Sequence, residues 1–284
     1  MSKPGILVTG GTGKTGGRVV RRLKELGWPV RLASRSGSAP EGVEAVRFDW
    51  NQPEGHAQAL SGVERVYLVA PVGESDPLPI MSAFIDKARA AGVRRFVLLS
   101  ASSLPEGGPA MGGVHRLLRE TAPEWTVLRP SWFMQNFSEG QHQATLRDEG
   151  ALYSATGEGR VPFIDADDIA EVGVRALIDE KAHNTAHLLT GPRALSYGEA
   201  AAIIGAAMER PVPHVNLSEE ALAERWSRLG LTRDYATLLA SMDGAIARGA
   251  EDRTTATVEQ VTGRPPRDLV DFARASVSAW RKQG

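Results

Sequence analysis

A chain of 284 residues has room for one large α/β domain, or one domain with an appended lobe, and its 42% hydrophobic and 24% charged residues exclude intrinsic disorder. The 33 basic and 34 acidic residues leave a net charge of −1, which argues against nucleic acid or an acidic membrane surface as the main partner. The absence of cysteine excludes disulfides, cysteine-bound metals and thiol catalysis, and no apolar run approaches the roughly 18–20 residues of a membrane helix.

The N-terminus runs directly into a strand rather than a signal peptide, so a cytoplasmic protein is expected. Strands are predicted at Ile6–Thr9, Val30–Ser34, Ala45–Phe48, Val66–Ala70, Phe96–Ser100 and Thr126–Leu128. They are rich in Val, Leu and Ile without polar alternation, as parallel strands buried on both faces are. Helical stretches at Gly17–Leu26, Ile80–Ala91 and Val114–Thr121 lie between them. This alternation predicts an α/β fold of Rossmann type, a doubly wound parallel sheet, over residues 1–150.

Residues 151–284 are expected to form a smaller, mostly helical substrate lobe that also completes the sheet edge with a strand at His187–Thr190. Ser196 and Glu199 form a capping box ahead of Ala200–Met208, and Ser218 can cap Glu219–Leu229. Thr232–Arg248 and Pro266–Trp280 are further helices, with Glu259–Arg264 as a connector. Asp165, Asp167 and Asp168 precede or open a helix and are expected to cap it. The six histidines are scattered without ligand spacing, so no metal is expected.

The sharpest motif is Gly10-Gly11-Thr12-Gly13-Lys14-Thr15-Gly16, between the first strand and the first helix. Its glycines allow a tight turn and close approach of a pyrophosphate, which the helix N-terminus then holds. Gly13-Lys14-Thr15 resembles the end of a nucleoside-triphosphate loop, but Val8 stands where that loop needs its first glycine. The second strand ends Ser34-Arg35-Ser36, with no carboxylate to repel a phosphate and with a guanidinium suited to bind one. NADPH is therefore the expected cofactor. Asp49 and Trp50 after the third strand suit the adenine. Ala70, Pro71 and Val72 after the fourth strand, and Ser100, Ala101 and Ser102 after the fifth, should face the cofactor crevice.

Many Rossmann reductases place a Tyr, and a Lys four residues later, against the nicotinamide. Here Met111 and His115 stand at that spacing. Methionine donates no proton, so either the chain is not a catalyst or its substrate needs no proton at the reacting atom. His115 is the one candidate for catalysis or for ribose contact. Beyond Pro130, which can present backbone groups to the carboxamide, the residues Trp132, Phe133, Asn136 and Phe137 are candidates for a substrate pocket, with Tyr153 and Phe163 behind them.

These stretches, VTGGTGKTG (8–16), ASRS (33–36), FDW (48–50), RFVLLSAS (95–102), GGPAMGGVH (107–115), VLRPSWFMQNFS (127–138), YSATGEGRVPFI (153–164) and LASMDGAIARGAE (239–251), resemble the atypical short-chain dehydrogenases of the NmrA-like group. Within it they are most similar to the ergot-alkaloid agroclavine and festuclavine dehydrogenases. The resemblance implies an NADPH-dependent reductase of a cyclic iminium, a substrate that is already cationic and needs no proton donor. A quinone or azo reductase, and a regulator that senses NADP(H) without turnover, are the alternatives. A small molecule is the expected partner, and no feature of the chain fixes an oligomeric state.

Overall fold

The computed structural model describes residues 3–282. In chain order its strands are β1 (Gly5–Val8), β2 (Val30–Ser34), β3 (Glu44–Arg47), β4 (Val63–Leu68), β5 (Arg95–Leu99), β6 (Glu124–Pro130), β7 (Leu152–Ser154), β8 (Arg160–Val161), β9 (Thr185–Leu189), β10 (Leu195–Ser196) and β11 (His214–Asn216). Its α-helices are α1 (Gly16–Glu25), α2 (His56–Leu60), α3 (Leu78–Ala90), α4 (Met111–Thr121), α5 (Gln135–Ser138), α6 (Ala166–Ile178), α7 (Tyr197–Ala207), α8 (Glu219–Arg228), α9 (Arg233–Ala247), α10 (Thr257–Thr262) and α11 (Leu269–Ser276).

The chain divides into two units. The first comprises 1–130, 166–189 and 260–263, and the second 131–165, 190–259 and 264–284. The sequence places one boundary after residue 150, whereas the chain passes repeatedly from one unit to the other. The crossings fall at 130/131, 165/166, 189/190, 259/260 and 263/264.

The first unit is built on a seven-stranded sheet in the order β3-β2-β1-β4-β5-β6-β9, with every neighbour parallel. This is the expected Rossmann architecture, with β9 closing the edge. Strand order reverses between β1 and β4, where open α/β sheets bind ligands at the strands' carboxyl ends. Helices α3 and α4 cover a core that includes Leu7, Phe48, Leu68, Phe84, Phe96, Leu98, Val114 and Leu118. Helices α1 and α6 pair with each other, fastened by Arg18 and Arg21 to Asp167 and by Arg22 to Glu171. Asp167 therefore serves an interhelical ion pair from the first turn of α6, beyond the capping role expected of it. Arg95, a charged residue in a central strand, is only 3% exposed. It pairs with Glu124 at 2.6 Å and donates to the Leu177 and Asp179 carbonyls, satisfying the C-terminal end of α6.

In the second unit β7 pairs with β11 and β8 with β10, and helices supply most of the core. The capping box of Ser196 and Glu199 forms as expected, and Ser218 accepts from the Ala221 N–H. The segment read as a connector, Glu259–Arg264, overlaps the last turn of α10. The last helix is shorter than predicted, starting at Leu269, where Asp268 caps it by accepting from the Val270 N–H.

Candidate active site

The first unit assembles the phosphate turn. The Thr9 hydroxyl donates to the Tyr67 carbonyl at 3.1 Å and accepts from the Val69 N–H at 2.8 Å, locking the carboxyl ends of β1 and β4 together. Gly10 follows with φ +60°, a conformation open to glycine at little cost, and the Gly13 N–H closes the turn on the Gly10 carbonyl at 2.8 Å. A Cβ at Gly16 would overlap that same carbonyl, so the first residue of α1 must be glycine for the helix to start against the loop. The Thr15 side chain makes no capping hydrogen bond, and the first turn of α1 has no acidic residue. The helix thus presents an unneutralised positive end, and Thr12 and Gly13 are exposed beside it. Lys14 is half-buried, its carbonyl accepting from Arg18 at 2.7 Å.

At the end of β2 the hydroxyls of Ser34, Ser36 and Ser38 form a chain, with Oγ–Oγ distances of 3.2 and 2.7 Å. Arg35 is exposed, and among the described residues its guanidinium has no hydrogen-bond or ion-pair partner. One Asp49 oxygen accepts from the Asn51 N–H at 2.9 Å, so this carboxylate takes part in a local turn, while Trp50 packs edge-on against Phe48 and Phe84. Ala70 and Pro71 are half-buried and Val72 is wholly exposed. Beyond β5, the Ser100 and Ser102 N–H groups bond the Leu128 and Pro130 carbonyls, which extends the sheet pairing past the strand. The Ser100 hydroxyl is buried without a partner; Ala101 is half-buried and Ser102 buried.

Helix α4 starts at Met111 in spite of Gly112 and Gly113. A Cβ at Gly112 would overlap the Pro105 carbonyl, so glycine is what lets the preceding loop fold onto the helix. His115 is 2% exposed and neither ring nitrogen has a hydrogen-bond partner. The nearest carboxylate oxygen, of Glu106, is 3.8 Å from Nε2. Burial pushes its pKa down, as do Arg129 and Arg119 against the opposing pull of Glu106, so the ring is neutral at neutral pH. Buried polar atoms without partners, on Ser100 and His115 of one unit, are what a nucleotide-binding surface contains before its ligand is added. The glycine turn, the open helix end, the free Arg35 and these orphan atoms together fit a dinucleotide cofactor.

The second unit carries the aromatic residues. Trp132 and Phe133 are half-buried; Phe133 bridges to Ile164, and the Met134 N–H donates to the Ile164 carbonyl. Phe137 and Phe163 are 0% and 2% exposed, 5.1 Å apart within the unit's core, so packing occupies their rings. Asn136 is half-buried, its N–H donating to the Phe133 carbonyl. Tyr153 is held under the Arg225 guanidinium, 3.6 Å from the ring centroid, and its hydroxyl donates to Glu149, which also pairs with Arg225. Asp165, expected as a cap, is wholly buried and accepts from Gln135 at 2.7 Å and Arg267 at 3.0 Å. Among the described residues no group of three or more His, Asp or Glu side chains could hold a metal ion.

A family model described as the NmrA-like family matches residues 2–269. The chain belongs to that family. It is 50% identical to the uncharacterized oxidoreductase YesF of Bacillus subtilis, over 99% of this chain and 98% of that protein. It is 41% identical to the agroclavine dehydrogenase of Claviceps fusiformis, over 97% and 98% of the two chains. The fold is shared with the NADPH-dependent quinone oxidoreductase of Escherichia coli in its complex with NADPH, at a TM-score of 0.82 and 23% identity, over 95% and 99% of the chains.

Three residues beside these positions escaped the sequence reading. Ser38 extends the hydroxyl chain at Arg35, a role its place in a Ser-rich turn could have signalled. Tyr197 and Asp243 are buried, with 1% and 4% exposure, in elements that looked merely helical. Tertiary packing places Tyr197 in the core cluster against which Trp132 packs and Asp243 within reach of the Ala155 N–H. No helix among the described residues is long and apolar enough to cross a membrane.

Proposed function

We propose that the protein is an NADPH-dependent reductase that transfers hydride to the carbon of a C=N bond, an imine or iminium, in a small and cyclic substrate. The observation that carries this reading is that Met111, not a tyrosine, stands four residues before His115 on α4, and that His115 is buried with its pKa lowered by that burial. Ordinary ketone reduction needs a proton donor, and an iminium does not. The kinship with oxidoreductases over nearly the whole chain, agroclavine dehydrogenase among them, supports the same conclusion.

The glycine turn and the N-terminus of α1 hold the pyrophosphate, and Arg35 with the Ser34 and Ser36 hydroxyls holds the 2′-phosphate that distinguishes NADPH. His115 and Ser100 offer their unpaired atoms to the ribose side. A nicotinamide held there would supply hydride chemistry, and reduction of an iminium carbon to a neutral amine would ask no proton of the chain's own residues. Trp132 and Phe133 supply ring faces to a planar cation.

The test is NADPH consumption with cyclic iminium salts, quinones and azo dyes. Turnover of the iminium salts is the expected result. Turnover confined to quinones or azo dyes, or tight NADPH binding with no turnover of any acceptor, would overturn the assignment.

A further inference from the structure

A buried histidine opens α2, outside every role assigned above. His56 is 3% exposed in the first unit, its ring stacked on Phe48 at 4.8 Å and 20° and set edge-on to Phe84 at 5.2 Å. Its Nε2 lies 2.9 Å from the Asp49 carbonyl oxygen. A carbonyl only accepts, so Nε2 carries the proton and donates it. The Nδ1 that remains is buried without a partner. The Asp49 carbonyl also accepts from the Gln52 N–H at 3.1 Å, and Asp49 Oδ1 accepts from the Asn51 N–H at 2.9 Å. Among the described residues nothing pairs with Asp49 Oδ2. The Phe48 N–H donates to the Ser34 carbonyl at 2.9 Å, so this turn follows β3 beside the Ser34–Ser38 turn that follows β2.

A phenyl ring at position 56 would pack on Phe48 and Phe84 as well, and would leave no buried nitrogen unpaired. What the imidazole adds is the hydrogen bond to Asp49. That bond anchors, from inside the core, the turn whose free carboxylate oxygen stands at the carboxyl end of β3. The adenine amino group is a donor suited to such an oxygen. We propose that His56 is a positioning residue for the adenine end of the cofactor: through the Asp49 carbonyl it fixes the turn that offers Asp49 Oδ2 to the adenine amino group. This rests on the dinucleotide reading of the first unit and on nothing in the second. The 2′-phosphate takes no part in the contact, so the effect of His56 is the same for NADPH and NADH, unlike that of Arg35.

The experiment titrates NADPH, NADH, AMP and nicotinamide mononucleotide into the wild type, His56→Phe and His56→Gln. His56→Phe keeps the ring packing and loses the donor. It should weaken NADPH, NADH and AMP alike by about fivefold, as for one hydrogen bond, and leave nicotinamide mononucleotide within about twofold. His56→Gln, whose amide nitrogen can stand in for Nε2, should recover at least about half of the loss. A merely structural role would lower thermal stability without telling AMP from nicotinamide mononucleotide. Unchanged AMP affinity in His56→Phe, or equal losses for AMP and nicotinamide mononucleotide, would overturn the proposal. In the wild type the amide NMR signals of Asn51 and Gln52 should move with AMP and stay with nicotinamide mononucleotide, a test that needs no variant to fold; signals that ignore AMP would overturn the proposal as well. Absence of any NADPH or NADH binding to the wild type would remove the dinucleotide reading and the proposal with it, and is seen before any variant is made. None of these results depends on turnover, so failure of the iminium chemistry is read separately, from NADPH oxidation.

Discussion

Substituting Asp243 by asparagine should make the fold less sensitive to pH, by an amount the burial of this group sets. The carboxyl is displaced from its ordinary 3.8 up to about 7 in the folded protein. A raised acid binds its proton more tightly in the folded chain than in the unfolded one. Its contribution is therefore complete below about pH 4, declines as pH rises towards 7, and stays at the lower level above that. At about 1.36 kcal/mol per pH unit the full decline approaches about 4 kcal/mol, and about 2–3 kcal/mol of it falls between pH 5 and pH 8. The side chain is almost wholly buried, so solvent screening reduces this little. Asparagine keeps the acceptor for Ala155 and cannot ionise. Urea unfolding of both proteins at pH 5, 6, 7 and 8 reads the difference directly: the variant should gain about 2–3 kcal/mol on the wild type across that range. A gap constant to within about 0.5 kcal/mol from pH 5 to pH 8 would show that Asp243 ionises as an ordinary surface carboxylate, and the argument from its burial would fail.

Other consequences are as concrete. Arg35→Ala should weaken NADPH binding by about 1.5–3 kcal/mol, as for a charged hydrogen bond, and leave NADH nearly unchanged; equal losses in titrations of both cofactors would dismiss the 2′-phosphate assignment. Trp132→Ala should lower kcat/KM for a cyclic iminium at least about tenfold while NADPH affinity, followed by fluorescence, moves less than about threefold, with Trp132→Phe recovering part of the loss. His115→Ala should raise the NADPH KM more than it lowers kcat; a kcat loss of about 1000-fold with cofactor binding intact would make His115 a general acid instead. Because burial lowers the ring's pKa from its ordinary value, NADPH affinity should show no inflection between about pH 7 and 8 that His115→Ala removes.

Much of the first unit was legible because its strands are buried on both faces and therefore read as unbroken apolar runs, Phe96 to Leu98 being wholly buried. The glycine turn was legible for a different reason: backbone crowding at Gly16 leaves no room for a side chain, so the chemistry is written in the residue type. The second unit resisted. Its strands are two or three residues long, too short for alternation to show. Arg95 reads as a surface charge and is instead a buried cap for a helix distant in sequence. Phe137 and Phe163 read as pocket walls, yet their rings are enclosed in the core, a distinction that hydrophobicity alone cannot make. Asp243 lay inside a motif whose pattern resembled relatives without revealing that its carboxyl is dry.

The central claim, hydride delivery to a cationic carbon without a proton donor, is tested most directly by isotope transfer. NADPH deuterated at the nicotinamide C4 position that donates would be incubated with the protein and a cyclic iminium salt, and the amine product analysed by mass spectrometry and NMR. One deuterium at the former iminium carbon, with turnover that Met111→Leu leaves nearly unchanged, is the predicted outcome. An amine carrying no deuterium, or no amine at all while NADPH remains bound, would contradict it.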